Sequence, residues 1–177
     1  MSPSYKVDRF SDLYFITTTI TNHLPIFSTD KYRRILAESL SYCVQAKGLL
    51  VHAYAIMPTH LHVISSHVDG RLSETVRDMK KFTSKTIAAN LEADGHGDWL
   101  SVMRDASKFP GGVQVWTRTF HAEYIITEGF FRQKFDYIHD NPVRAGLVED
   151  MCAWEYSSAG FYYLGRESMV PVSAVEW

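Results

Sequence analysis

The stretch from residue 49 to residue 66 constrains the fold more than any other part of the sequence. Leu49 to Met57 is a largely apolar run, and a second such run extends from His60 to Ser66. Pro58 separates the two runs, and proline cannot donate a hydrogen bond to a strand ladder. We therefore expect two strands that pair back on each other as an antiparallel hairpin.

A helical pattern lies on each side of this hairpin. A residue between 28 and 30 can cap a helix that runs to about Lys47, where Gly48 stops it. A second helix is expected from about residue 73 to residue 92. In both segments apolar residues recur every three or four positions, as one buried helix face requires. The inner faces comprise Tyr32, Leu36, Leu40 and Cys43 in the first helix, and Val76, Met79, Thr83, Ile87 and Leu91 in the second.

Two more strands and a last helix complete the pattern. Residues 13–21 are β-branched and aromatic and predict a first strand, and a fourth strand is expected from Val115 to about Thr119. The glycine-rich residues 94–115 are predicted as loop. A last helix is expected from about Glu128 to Asn141, because Pro142 disfavours helical geometry at the residue before it.

This order of elements predicts an α+β fold of the ferredoxin-like type. Strand, helix, strand, strand, helix and strand form an antiparallel four-stranded sheet with both helices on one face. The other face stays open for a site, and the extra C-terminal helix could cover it. A length of 177 residues suits a single domain over residues 1–177. We expect its core at about 13–148 and a C-terminal aromatic segment at about 149–177.

Composition and cysteine usage indicate a cytoplasmic protein without a membrane partner. No apolar stretch approaches the roughly 18 residues that span a bilayer. Residues 1–12 show no basic patch followed by an apolar run, so no signal peptide is expected. Cys43 and Cys152 have neither metal-site nor redox-motif spacing, which favours a reducing compartment.

The sharpest chemical feature is the sequence His60-Leu61-His62. Side chains alternate along a strand, so both imidazoles point to one face while Leu61 and Val63 point to the other. Two residues along a strand span about 6.5 Å, and imidazoles at that separation can converge on one divalent ion. The alternative is a pair of ordinary histidines on a sheet face. The spacing alone favours this alternative, and the presence of eight histidines in the chain weakens the metal interpretation further.

The second feature lies in the predicted last helix. Tyr137 and Asn141 are four residues apart and therefore share one stripe, beside a buried face that includes Phe131, Phe135 and Ile138. A phenol and an amide oxygen facing two histidines would supply a nucleophile and a third metal ligand. The alternative is that Tyr137 packs at a core edge and Asn141 ends the helix. Spacing alone favours this alternative.

Together the two features resemble a known family. Residues 53–64 (AYAIMPTHLHVI) resemble the His-hydrophobic-His (HUH) strand of single-strand DNA transposases. Residues 137–148 (YIHDNPVRAGLV) closely resemble the tyrosine helix of one branch, the tyrosine transposases associated with repetitive extragenic palindromes (REP). Trp154, followed by residues 156–159 (YSSA), is similar to the C-terminal segment of that branch. The resemblance covers roughly residues 13–163.

The resemblance implies a concrete activity. The family is ferredoxin-like, and its strand histidines, here His60 and His62, bind Mg²⁺ or Mn²⁺ together with the polar residue matched by Asn141. The tyrosine matched by Tyr137 attacks the scissile phosphate of single-stranded DNA and leaves a 5′-phosphotyrosine and a free 3′-hydroxyl. Rejoining by another 3′-hydroxyl completes strand transfer. Thr59 replaces a common asparagine, and Thr117 a common glutamine, which puts the DNA specificity of this chain in question.

A basic stripe could bind the DNA backbone. Three cations lie four residues apart on the second helix, with a fourth beside them, and two further arginines lie near the fourth strand and the last helix. Such a stripe could follow phosphates despite the net charge of −2, because the local distribution matters more than the sum. A solvated helix face is the alternative. These candidates are Arg77, Lys80, Lys81, Lys85, Arg118 and Arg144.

Three functions remain open from the sequence. The first is the transposase, acting on single-stranded DNA with hairpin or palindromic repeats in the cytoplasm at the nucleoid. The second is a ferredoxin-like module that binds hairpin nucleic acid without cutting, and the third is a hydrolase in which His60 and His62 activate water through a metal. Tyr137 and Asn141 argue for the first. The chain could act as a monomer or as a homodimer that exchanges the tyrosine helix.

Overall fold

The computed structural model describes residues 12–175, so both ends of the expected 1–177 domain lie outside the described residues. Four strands and five α-helices are described there, with short 3-10 turns between them. In chain order they are β1 (Tyr14–Thr19), α1 (Asp30–Lys47), β2 (Leu49–Met57), β3 (His60–His67), α2 (Leu72–Ala93), α3 (Gly97–Asp105), β4 (His121–Tyr124), α4 (Glu128–Arg144) and α5 (Ala159–Leu164).

The four strands form one antiparallel sheet in the order β2-β3-β1-β4. β2 and β3 are the expected hairpin, in which Met57 pairs with His60 across the turn at Pro58 and Thr59. The segment that follows β1 holds this turn by two backbone hydrogen bonds. The Phe27 N–H donates to the Pro58 carbonyl, and the Ile20 N–H donates to the Thr59 carbonyl. The predicted ferredoxin-like α+β fold is confirmed.

Helices α1 and α2 cover one face of the sheet. Ile16, Leu61 and Val63 point to this side and join the inner residues of both helices in one apolar cluster. α1 ends at Gly48, whose φ of +77° is a left-handed cap that glycine adopts without cost. A Cβ at this position would also lie 2.6 Å from Val68 Cγ2. Both the backbone conformation and the space available therefore favour glycine in this tight connection into β2.

Helix α4 covers the other face. Phe131, Phe135 and Ile138 are buried against a second cluster, to which the sheet contributes Ile64 and Met57 along with smaller residues. Ala53 and Ala55 of β2 are fully buried there, and their small side chains leave room for the aromatic rings of α4. The sheet is thus apolar on both faces, and its second face is completed by the helix that carries Tyr137.

A β-bulge in β2 changes which positions of the strand face each cluster. The register shifts between Val51 and Ala53, so the extra residue, His52, switches the alternation of side chains. His52 is fully buried and its ring is satisfied, with Nδ1 2.8 Å from the Ser173 carbonyl oxygen and Nε2 2.8 Å from Ser66 Oγ. Residues 49 and 51 therefore pack against α1 and α2, whereas Ala53 packs against α4.

The prediction of the fourth strand was wrong in position. β4 spans His121–Tyr124 instead of residues 115–119. All of its side chains are exposed, so the sequence shows no alternation of apolar residues that would predict this strand. The residues that suggested a strand instead enter the α1–α2 side of the core. Trp116 pairs with Ile20 as an isolated bridge and donates its indole N–H to Thr83 Oγ1 at 2.9 Å.

Two further boundaries differ from the prediction. Residues 94–115 are not all loop, because α3 buries Leu100 and Met103 in the α1–α2 cluster. α4 does not stop at Asn141 but continues through Pro142 to Arg144. Proline there removes one backbone donor from the last turn, and its buried ring contributes packing.

The C-terminal segment completes the edge of the sheet at β2. The Ile56 N–H donates to the Tyr156 carbonyl at 2.8 Å, and the Ser173 N–H donates to the Val51 carbonyl at 2.8 Å. Trp154 donates its indole N–H to the Ile56 carbonyl at 3.1 Å. These bonds satisfy backbone groups that an open edge strand would expose. Within residues 12–175, no helix has the length and apolar character to cross a membrane.

Prediction for stability and pH. Burial lowers the pKa of His52 from 6.5 to about 4. The unfolded chain therefore binds a proton between these values that the folded chain does not, so stability is full above pH 6.5 and falls as the pH drops towards 4. We expect this residue alone to cost about 2 kcal/mol of unfolding free energy between pH 7 and pH 5. Urea unfolding of His52→Gln should show a shallower pH dependence than wild type, and equal slopes would contradict the assignment.

Candidate active site

Strand β3 places His60 and His62 side by side on the face covered by α4. Their Nε2 atoms are 3.0 Å apart, and the ring centroids are 4.5 Å apart. His62 is buried, with 5% of its surface exposed, and His60 is partly buried at the start of the strand. Leu61 and Val63 point into the opposite core, as the alternation of a strand requires.

Two threonine hydroxyls hold the histidine rings. Thr17 Oγ1 lies 2.8 Å from His62 Nδ1, and Thr59 Oγ1 lies 2.8 Å from His60 Nδ1. Thr17 reaches its partner because β1 pairs with β3 in the register that sets Thr17 opposite His62. If each Nδ1–H donates to its threonine, both Nε2 lone pairs face the space between the rings. Orientation of this kind is typical of metal-binding histidines.

Both imidazoles are held in the neutral form. Burial, the neighbouring His60 ring and Lys134 lower the pKa of His62 to about 3. Burial and, to a smaller extent, His23 lower the pKa of His60 as well. A neutral imidazole keeps a lone pair on Nε2, which is the form that coordinates a metal. Two neutral imidazoles could therefore act as ligands of a metal ion.

Helix α4 brings Tyr137 onto the histidines. Its ring packs edge-on against His62 with centroids 5.2 Å apart, and against Phe15 with centroids 6.0 Å apart. Tyr137 is partly buried, and no hydrogen bond engages its hydroxyl within the described part of the chain. Asn141 is also partly buried and lies one turn later on the same stripe of α4. The structure thus brings three of the predicted site residues to one face, with Asn141 beside Tyr137.

The donor set fits a hard divalent ion. Two Nε2 atoms 3.0 Å apart match adjacent ligands of an octahedral ion with bonds of about 2.1 Å. Among residues 12–175 no third histidine, cysteine, aspartate or glutamate joins them. The carboxamide oxygen of Asn141 is the remaining ligand candidate on α4. This combination of nitrogen and oxygen donors suits Mg²⁺ or Mn²⁺ in an open site that leaves room for substrate oxygens.

Sequence reasoning missed three residues around this centre: Thr17, Phe15 and Lys134. The ring of Phe15 stacks on His62 with centroids 5.5 Å apart. The Nζ atom of Lys134 lies 4.4 Å from the centroid of the Phe15 ring. The positions of Phe15 and Thr17 beside His62 depend on how β1 pairs with β3. The sequence pattern of one β-strand does not contain this register. Lys134 precedes Tyr137 by three residues, and this spacing was the signal that could have found it.

The predicted DNA-binding cations fall into two groups. Arg144 lies at the site, with its guanidinium carbon 5.7 Å from the centroid of the Tyr137 ring. The others lie on or near α2, beyond the opposite face of the sheet. Arg77, Lys81 and Lys85 are exposed there, as the stripe predicted.

Two of these cations are engaged within the protein. Lys80 is partly buried and donates to the Thr117 carbonyl at 2.9 Å, and burial lowers its pKa, so it does not belong to the exposed stripe. Arg118 donates to Gln114 Oε1 at 2.8 Å and remains exposed at the surface. The exposed cations of the predicted stripe are therefore Arg77, Lys81 and Lys85 of α2, together with Arg118 in the segment before β4.

Known proteins are similar to this chain in sequence and in fold. The chain is 20% identical over 145 residues to the REP-associated tyrosine transposase of Escherichia coli (strain K12), covering 82% of this chain and 74% of that protein. No protein-family model matches. The fold is similar to that of a REP-associated tyrosine transposase solved with a REP hairpin, with a TM-score of 0.62 and 22% sequence identity over 100% of this chain and 98% of the other. The resemblance to REP-associated tyrosine transposases is confirmed.

A weaker structural likeness exists as well. A protein from Deinococcus radiodurans R1, assigned provisionally as a transposase, has a TM-score of 0.49 and 15% identity. The match covers 72% of this chain and 88% of that one.

Prediction for the protonation of His62. Because His62 is buried beside another histidine and a lysine, its ring should stay neutral from pH 8 down to about pH 4 in protein kept free of metal by chelation. Long-range ¹H–¹⁵N spectra of the histidine rings measure both the protonation state and the tautomer. We expect Nδ1 of both site histidines to carry the hydrogen. A titration midpoint near the unperturbed value of about 6.5 would contradict the burial of His62.

Proposed function

We propose that this chain is a metal-dependent tyrosine transposase that cleaves and rejoins single-stranded DNA. The observation that carries the proposal is the contact of the Tyr137 ring with His62, 5.2 Å between centroids, with the phenol hydroxyl unengaged. Confirmed similarity to REP-associated tyrosine transposases supports the same activity. No other tyrosine among residues 12–175 packs against either site histidine.

The proposed substrate is DNA with a hairpin or palindromic repeat. The related transposase of similar fold was solved with a REP hairpin. The exposed cations near this site and on α2 give the chain surfaces for a phosphate backbone. Thr59 and Thr117 differ from the residues that are common in the family, so we expect the hairpin specificity to be particular to this chain. The proposed enzyme acts as a monomer or as a homodimer.

The proposed reaction assigns a task to each side chain. His60, His62 and Asn141 would hold the ion, and the hydroxyls of Thr17 and Thr59 keep both rings in the binding orientation. A divalent ion bound there would withdraw negative charge from the phosphate and favour departure of the 3′-oxygen. The phenolic proton of Tyr137 passes to water, the phenolic oxygen forms a bond to phosphorus, and the bond from phosphorus to the 3′-oxygen breaks. The 3′-oxygen takes a proton from water and leaves as a free hydroxyl.

The covalent bond also explains rejoining without an external energy source. The phosphotyrosine ester retains the energy of the phosphodiester that was cut, so a 3′-hydroxyl can attack it in the reverse sense. Phe15 helps by packing against both Tyr137 and His62, which limits the positions that the phenol can adopt. A neutral phenol is a weak nucleophile, so the placement of Tyr137 beside cations would favour its attack.

Prediction for the nucleophile. We expect a pool of single-stranded hairpin oligonucleotides labelled at the 3′ end to give a protein-linked band with Mn²⁺ on denaturing gels. Tyr137→Phe should abolish this band because it removes the attacking oxygen. Tyr163→Phe, at a half-exposed tyrosine of α5, is the matched control and should retain it. Cleavage that persists in Tyr137→Phe would favour the hydrolase, and hairpin binding without cleavage by wild type would favour the binding module.

Prediction for the metal. Thr17→Val removes the hydroxyl that orients His62, and loss of such a partner lowers metal affinity roughly 10- to 100-fold. Thr17→Ser should retain most of the affinity. Thr18→Val is the matched control, because Thr18 is buried on the opposite face of the same strand without a hydrogen bond for its hydroxyl. Calorimetric titration with Mn²⁺ measures all three, and equal affinities of Thr17→Val and wild type would refute the orienting function.

A further inference from the structure

We infer that Lys134 binds a phosphate oxygen of the single-stranded DNA next to the bond that Tyr137 attacks. This inference rests on the proposed function and adds to it a residue that the sequence motif does not contain. Lys134 lies in α4, three residues before Tyr137, and its side chain is turned towards the sheet, where 18% of it remains exposed. The inference depends on three observations about its position, its neighbours and its charge.

The first observation is the stripe that α4 presents along the site. Its members recur with the four- and three-residue spacing of one helix face. Tyr137 occupies the centre, with one cation on the preceding turn and another two turns later. An anion that approached the phenol would therefore meet a positive charge from either direction. The stripe consists of Phe130, Lys134, Tyr137, Asn141 and Arg144.

The second observation is the shared contact with Phe15. The Nζ atom of Lys134 lies 4.4 Å from the centre of the Phe15 ring. The same ring stacks on His62 at 5.5 Å and touches the edge of Tyr137 at 6.0 Å. One aromatic side chain thus separates the cation from both reacting parts of the site. A lysine one turn before Tyr137 has the reach to place its ammonium on a phosphate beside the Tyr137 hydroxyl.

The third observation is the electrostatic state of Lys134. Its Nζ forms an ion pair of 2.9 Å with Glu123 Oε1 of β4, and it lies 5.1 Å from the Phe130 ring. Within residues 12–175 Glu123 is the carboxylate recorded as its ion-pair partner, and 46% of that side chain is exposed. Because the Glu123 carboxylate is half-exposed, water screens the pair and its contribution to stability is modest. A DNA phosphate can therefore replace or join the carboxylate at modest cost.

A purely structural function for the pair makes a different prediction. If Lys134 and Glu123 serve only to tie α4 to the exposed strand β4, removing either partner should have the same effect. If Lys134 binds phosphate, removing Lys134 weakens the interaction with DNA. Removing the charge of Glu123 then frees the lysine and takes away a repelling carboxylate, so binding should be retained or strengthened. The sign of the Glu123 effect separates the two.

The test compares four full-length variants with wild type: Lys134→Met, Lys134→Arg, Glu123→Gln and Lys31→Met. Lys31 forms an equally short ion pair with Asp94, away from the site, and is the matched control for loss of a paired lysine. One arm measures the rate of the protein-linked band with Mn²⁺ and the labelled hairpin pool. The other measures hairpin binding by fluorescence anisotropy at several salt concentrations in chelator. Thermal unfolding of each variant confirms that it folds.

We expect Lys134→Met to slow adduct formation at least tenfold and to reduce the logarithmic salt slope by about 0.7, the contribution of one phosphate contact on a single strand. Lys134→Arg should restore most of both, Glu123→Gln should bind at least as tightly as wild type, and Lys31→Met should match wild type. Equal losses in Lys134→Met and Glu123→Gln, or none in Lys134→Met, would overturn the inference. A wild type that forms no adduct would refute the proposed function instead. In that case the salt dependence of hairpin binding alone tests Lys134. Equal salt slopes for Lys134→Met and wild type would overturn the inference.

Discussion

The arrangement of this molecule depends on a sheet that is apolar on both faces. Two helices can cover only one face of a ferredoxin-like sheet, so the other must be buried by something else. Here that element is α4, whose Phe131, Phe135 and Ile138 pack on a surface that includes Ala53 and Ala55. The small alanines admit the large rings. The bulge at His52 makes this possible, because it changes the alternation so that Ala53, Ala55 and Met57 face α4, while Tyr54 and Ile56 join the other core.

Burying α4 in this way also positions the chemistry. The buried face and the site stripe are adjacent on one helix, so packing of the first fixes the second beside β3. Tyr137 then meets His62, and Phe15 fills the space between them. A helix that moved by one turn would shift Tyr137 by about 5.4 Å and lose these ring contacts. The core on this side and the candidate site are consequently one packing unit, and substitutions in either are expected to affect both.

Some of this architecture follows from local sequence rules and some does not. The period of two along β3 is enough to put His60 and His62 on one face, and the four-residue spacing is enough to pair Tyr137 with Asn141. Contacts between separate segments need the strand register, which is why Thr17 stayed hidden until β1 was aligned with β3. The sequence did not predict the position of β4, because all of its side chains are exposed and show no apolar alternation. It did not predict α3, because the glycines near the start of this helix indicated a loop in spite of a short apolar pattern.

The distribution of charge around the fold constrains how a nucleic acid could use it. Lys134 and Arg144 of α4 flank Tyr137, so the charge beside the phenol favours an anion. The exposed cations of α2 lie across the sheet from this site and cannot touch the same phosphate. A strand that contacted both groups would have to pass around an edge of the sheet. The β2 edge is closed by the C-terminal segment, whereas β4 is exposed and has Arg118 close by in sequence. The β4 edge is therefore the side on which DNA could bridge the two surfaces, although the net charge of the whole chain is −2.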